Sequence, residues 1–344
     1  MSGKKLGRQT FLLPSAPAVI GWASVVGRKE GQGPLRTYFH EIWQDSYHGK
    51  DTWEQAEQAM QTRALELALE RSNLSSEALD ALLGGDLNNQ CIATAYAARG
   101  LSVPLAGLYG ACSTMAEALG LGAMLLDGGF GSRIGAVVSS HFCTAERQYR
   151  TPLEYGGQRA PTAQWTATAA GSLVLARKGW GPRVTHVTLG KVVDRGIRDA
   201  NNMGAAMAPA AFETLRCHFS DTGRAPSDYD LIVTGDLGAL GRDLVAELFR
   251  REGQTLTNYD DCGLMLFDRR RQKVCCGASG CGCSAAVLCS LLLEGLMTGR
   301  WQRLLFCGTG ALHSPAALGQ GESIPGICHA VALEGPGEEK EERG

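Results

Sequence analysis

Cys112 stands in the stretch GLYGACSTMAEALGLG, residues 107–122, between a small-residue turn and an Ala/Leu/Gly-rich helix. At a helix N-terminus, the helix dipole and nearby free N–H groups favour a thiolate. Gly110, Ala111 and Ser113 would let a substrate come close. The same placement suits an inert cysteine at a tight strand–helix junction. Acyl transfer through the sulfur needs a base for its proton and donors for the oxyanion. Two carboxylates, Asp86 and Asp236, each end a short apolar segment in Gly-Asp-Leu. Carboxylates can hold a hard cation such as calcium, or cap the following helix, and their repetition favours the cap. The run CCGASGCGC (275–283) has neither the CxxC pairs of zinc sites nor a common iron–sulfur spacing. It reads as a demand for small residues before a buried helix, and no metal is expected there. Cys307 reads as a buried strand residue, and GGFG and GASG lack the strand–helix context of nucleotide loops.

The elements that must position these groups occur twice. LSSEALDALLGGDLNNQ (74–90) parallels RAPSDYDLIVTGDLGAL (224–240), with Asp86 and Asp236 offset by 150. Residues 109–140 parallel 277–310, with Arg133 and Arg303 offset by 170. The growing offset places an insertion in the second half, and residues 257–277 are predicted to fill it as strand, charged turn and strand. Each half reads helix, strand, small-residue turn, long apolar helix, strand. Helices apolar all round belong between layers, and continuous apolar strands such as RIGAVVSS and RLLFCGTG belong in sheets covered on both faces. The expectation is a five-layered α/β fold made of two duplicated halves, residues 1–190 and 191–334, followed by a disordered acidic tail, 335–344.

Composition narrows the functions. The chain has 344 residues, 44% hydrophobic and 20% charged, with a formal net charge of −2. That charge gives no reason to expect nucleic acid or direct binding to an anionic bilayer. The beginning lacks the apolar core of a signal peptide, and the most apolar run, 284–297, contains Glu294 and is too short to span a bilayer. The twelve cysteines are read as reduced thiols.

With these residues in place, the chain resembles the thiolase and ketoacyl-ACP synthase superfamily. Over almost its whole length it is similar to a family of sporulation proteins with that fold. GRQTFLL (7–13), VVGRKEGQGPL (25–35), GGDLNNQ (84–90), GLYGACSTMAEAL (107–119) and VSSHFCTAERQYRTPLEYGGQ (138–158) carry the likeness. It continues through MGAAMAPAA (203–211), VTGDLGALG (233–241) and GASGCGCSA (277–285). The resemblance implies a thiolase-like fold used for binding dipicolinic acid (pyridine-2,6-dicarboxylate), usually moved with calcium. It further implies the soluble member of an assembly at the spore inner membrane, attached through partner proteins, that serves uptake into the developing spore and release at germination. Pairing with a second copy is implied by analogy.

The same resemblance exposes a gap. Ketoacyl synthases place a histidine where this chain has Gly235-Asp236-Leu237, and an Asn or His where it has Ala278 and Ser279. An ionised Asp236 near Cys112 would raise the thiol pKa. The expected protein therefore holds a ligand without turning it over, with an acyltransferase using Cys112 as the alternative. His141, which ends VVSSH, is favoured over His313, which follows GTGAL, as the pocket histidine. Arg147 and Arg150, in a loop after His141, are the expected forked donors to carboxylates, with Asp86, Asp236 and Ser279 lining the same pocket.

Overall fold

The computed structural model describes residues 4–149 and 159–336. Its ten main strands repeat one pattern. β1 (Ala18–Val26), β2 (Ala81–Gly85), β3 (Leu105–Gly107), β4 (Arg133–Ser140) and β5 (Ala169–Ala176) lie in the order β1-β5-β4-β2-β3. β6 (Arg183–Thr188), β7 (Leu231–Thr234), β8 (Tyr259–Asp261), β9 (Arg303–Ala311) and β10 (Gly326–Glu334) lie in the order β6-β10-β9-β7-β8. Within each set the first two pairings are antiparallel and the last two parallel. One pairing, Ala18 with Arg183, joins the sets into a continuous sheet. β6 already belongs to the second set, ahead of residue 191. Each half opens with a strand of its own, which the expected element order had left out.

The duplication extends to details. Thr52 caps α1 (Trp53–Arg71) and Asn202 caps α4 (Met203–Thr222), each through its side-chain oxygen. Asp80 accepts from the N–H groups of Ser132 and Arg133, and Asp230 from those of Gln302 and Arg303. α1 covers the outer face of the first set, while α4 and α5 (Gly238–Arg251) cover the second. Between them lie α2 (Thr114–Gly128) and the helix that begins as α6 (Cys281–Val287) and runs through a π turn at Leu288–Leu292 to Met297. α2 touches both strand sets, and its Met115, Leu119 and Leu126 are fully buried. An apolar helix lacking a polar face finds its place only in such a middle layer.

Two local expectations are corrected. Residues 262–277 form no hairpin: after β8 come short helices at Cys262–Met265 and Arg269–Gln272. Asp261 and Asp268 cap them by accepting from following backbone N–H groups, which favours a helical turn over a strand. The segment after His141 is also helical, α3 (Phe142–Tyr149), rather than a loop. Arg150 and most of the predicted acidic tail lie outside the described residues. Among those described, no helix is long and apolar enough to cross a membrane.

Candidate functional site

The turn before α2 is built to present residue 112. Ala111 has φ +50°, a left-handed conformation costly for a residue with a Cβ. The Ser113 and Thr114 hydroxyls hold the turn by donating to Gly110 O and Ala111 O at 2.7 Å each. The end of β9 crosses directly over it. A Cβ at Gly310 would sit 2.4 Å from Gly110 O, and one at Gly308 2.6 Å from the Ala116 Cβ. Glycine is therefore required at both positions for the second half to close on the Cys112 turn.

Cys112 lies at the wall of a cavity of ≈ 620 Å³, counting its open mouth. The polar lining includes Glu146 and Tyr149 from α3, Gln164, Ser279 and, past the end of β9, His313. Glu146 is held by Arg159 at 3.0 Å. Arg159 in turn lies over the rings of Trp165 and Phe142. The Tyr149 hydroxyl donates to Leu87 O at 2.7 Å and accepts from Tyr109 at 2.8 Å.

Beneath the thiol is Asp236, fully buried. It accepts from Gly280 N and from the Thr309 hydroxyl, each at 2.9 Å. Burial, opposed by those donors, brings its pKa up to about 6. Burial first, and the Asp236 charge second, push the Cys112 thiol well above its ordinary value. At neutral pH the proton stays on sulfur, because a carboxylate so near makes a thiolate less favourable. Chemically this arrangement can hold a ligand against a neutral thiol. Burial and the neighbouring carboxylate both oppose the thiolate on which acyl transfer depends.

The structure brings Cys112, Asp236 and Ser279 together and moves the other candidates elsewhere. His141 does not line the cavity. Its Nε2 is 2.9 Å from Ser46 O, and its Nδ1 accepts from Cys143 N at 3.2 Å, so both ring nitrogens are engaged. Arg147 pairs with Glu54 on the outside of α3, because helical rather than loop geometry carries it away from the cavity. Asp86 is sealed, accepting from Asn88 N, Thr94 N and the Thr94 hydroxyl at 2.8–2.9 Å. It thereby holds the turn into the Ile92–Ala98 helix. Among the described residues no cluster of three His, Cys, Asp or Glu side chains could hold a metal ion. His313, which the sequence ranked second, takes the place expected of His141. Tyr149 and Gln164 carried no sequence signal. That of His313 is its position just beyond the glycines that press on the Cys112 turn.

Comparison with known proteins places this geometry in a family. Stage V sporulation protein AD (SpoVAD) is the family matched, over residues 7–334. Stage V sporulation protein AD of Bacillus subtilis (strain 168) is 41% identical over 335 residues, covering 97% of this chain and 99% of the relative. Similar solved structures include 3-oxoacyl-[acyl-carrier-protein] synthase III from Aquifex aeolicus VF5, with TM-score 0.55 and 13% identity over 92% of this chain and 99% of that one. Cerulenin-bound OleA of Xanthomonas campestris gives TM-score 0.63 and 12% identity over 97% and 99%. At such identities the likeness establishes the thiolase-like fold. The chain belongs to the stage V sporulation protein AD family.

Proposed function

We propose that this protein binds pyridine-2,6-dicarboxylate in the cavity beside Cys112 without transforming it, and serves its movement into the developing spore and out at germination. One observation carries the reading: a buried carboxylate, Asp236, underlies the thiol where the condensing enzymes keep a proton-accepting histidine. Tyr149 and His313, whose ring centroids are 5.5 Å apart, offer aromatic walls to a planar ligand.

Charge bears on the form of the ligand. The one charged residue among the described lining, Glu146, is already neutralised by Arg159. Among the described residues, a lining with no net positive charge suits a calcium chelate, which is close to neutral, better than a free dianion, whose desolvation would go uncompensated. Calcium enters this proposal as cargo carried with the ligand. Attachment to the spore inner membrane through other proteins of the dipicolinate channel belongs to the same proposal. So does pairing of two copies along β3, an edge strand whose three residues are all exposed.

Calorimetric titration with dipicolinate, with and without calcium, tests the binding. Incubation with acyl-CoA followed by mass spectrometry tests the chemistry. The expected results are saturable binding strengthened by calcium and no acyl adduct on Cys112. An acyl-Cys112 adduct with steady turnover would establish an acyltransferase instead.

A further inference from the structure

The cavity contains polar atoms that the protein leaves unanswered. His313 is 8% exposed, yet neither ring nitrogen has a hydrogen-bond partner among the described residues. Gln164, 9% exposed, donates through Nε2 to Asp236 O and to Ala278 O at 2.9 Å, while its Oε1 is buried without a donor. The two carbonyls receiving Nε2 fix the orientation of the amide, so the orphaned atom is an acceptor. Burial lowers the His313 pKa, and a neutral imidazole offers one donor and one acceptor. Together these two cavity-lining side chains carry one unanswered donor and two unanswered acceptors. Buried polar groups left unpaired destabilise a fold, and proteins rarely keep several in one place without use.

We infer that His313 and Gln164 are the pair that reads the ligand. His313 donates to a ligand oxygen, and Gln164 Oε1 accepts from a proton-bearing group on the occupant. The occupant therefore carries at least one N–H or O–H beside its acceptor oxygens. A bare dicarboxylate only accepts and would leave Gln164 Oε1 unanswered. An amide, a protonated acid or a water held on a bound cation would answer it. This rests on the binding reading above for the location of the ligand, and goes beyond it in naming the residues and the polarity they select.

The test uses wild type, His313→Phe and His313→Gln, each titrated in calcium-free buffer at neutral pH with dipicolinate and with 6-carbamoylpyridine-2-carboxylate, its monoamide. Parallel titrations of dipicolinate with calcium reveal whether cation-bound water supplies the donor. Wild type is expected to bind the monoamide more tightly than bare dipicolinate, and calcium to close that difference. His313→Phe should weaken binding about tenfold or more, as loss of a hydrogen bond to a charged group does, and His313→Gln should recover part of it. Without ligand, His313→Phe should melt no lower than wild type, since it removes two orphaned nitrogens and keeps a ring against Tyr149. Binding by His313→Phe equal to wild type, or tighter binding of bare dipicolinate than of the monoamide, would overturn the inference. So would a clear drop in ligand-free melting temperature for both variants, which would mark a structural histidine. If wild type binds neither compound, the binding reading itself fails, and the ligand-free melting comparison still judges His313.

Discussion

The duplication creates two cysteine–carboxylate centres that have diverged. Cys112 opens α2 in the first half and faces Asp236 from the second. Cys281 opens α6 in the second half and feels the charge of Asp86 from the first. Around Asp86 the protein has packed a second carboxylate, Glu57, and sealed both. Glu57 accepts from Asn88 Nδ2, the Ser139 hydroxyl and the Thr144 hydroxyl at 2.8–2.9 Å. The Cys281 thiol donates to Ser139 O at 2.9 Å and is wholly buried, whereas Cys112 keeps 8% of its surface exposed beside a cavity. Position 207, the counterpart of Glu57 under the 150-residue offset, is Met207. The cap that Asp86 supplies in the first half is supplied in the second by Asp261, which accepts from Leu237 N and Gly238 N. Asp236 is thereby released from the helix and turned toward the thiol. One copy became a buttress while the other kept its opening.

Removing the buttress should have the largest effect. Glu57→Ala strands two buried donors, Asn88 Nδ2 and the Ser139 hydroxyl, and should cost about 3–5 kcal/mol in urea unfolding, whereas Asp236→Asn, which keeps the side-chain shape, should cost about 1 kcal/mol. A cost for Asp236→Asn as large as for Glu57→Ala would erase the distinction.

The centres should also part in pH dependence. Burial raises the Glu57 pKa from 4.5 to about 7, so between those values the folded chain holds a proton that the unfolded chain has released. Its contribution is present below pH 4.5 and lost as pH rises toward 7, by about 1 kcal/mol per pH unit. Buried histidines oppose this in total stability, since His186 and His329 are lowered to about 4 and disfavour folding as pH falls through 6.5. The measurement is therefore a difference: wild type minus Glu57→Gln unfolding free energy at pH 5, 6 and 7. It should fall with pH, and a flat difference would show Glu57 ionised throughout.

Reactivity gives a smaller effect. Asp236→Asn removes the charge opposing the Cys112 thiolate and should speed its alkylation by iodoacetamide about tenfold, the equivalent of one pKa unit. Cys281, sealed from solvent, should stay unmodified in both proteins by peptide mass mapping. The smallest expected contrast is in truncation. Cys281→Ala should cost about 1–2 kcal/mol in urea unfolding and Cys112→Ala less than about 1, because only the first leaves an enclosed void.

Much of the fold is legible in the residues because the duplication is written in local signals. The Asp80/Asp230 and Asp86/Asp236 pairs sit at matching strand boundaries, and the middle-layer helices betray themselves by lacking a polar face. The insertion at 262–277 misled because its charged and apolar stretches suit a hairpin as well as short helices, and only Asp261 and Asp268 tip the balance. The site was less legible. His141 and His313 both follow strand ends, and nothing in their neighbours states that one ring is tied to Ser46 O while the other is left open.

By itself the sequence determined that two similar α/β halves would share buried central helices, and that an aspartate would stand where a proton-accepting histidine was expected beside Cys112, since residue type and period are local properties. Which histidine faces the cavity, which aspartate is released toward the thiol and which carboxylates are sealed were decided only in three dimensions. Burial and hydrogen-bond satisfaction depend on what the other half of the chain brings against each side chain.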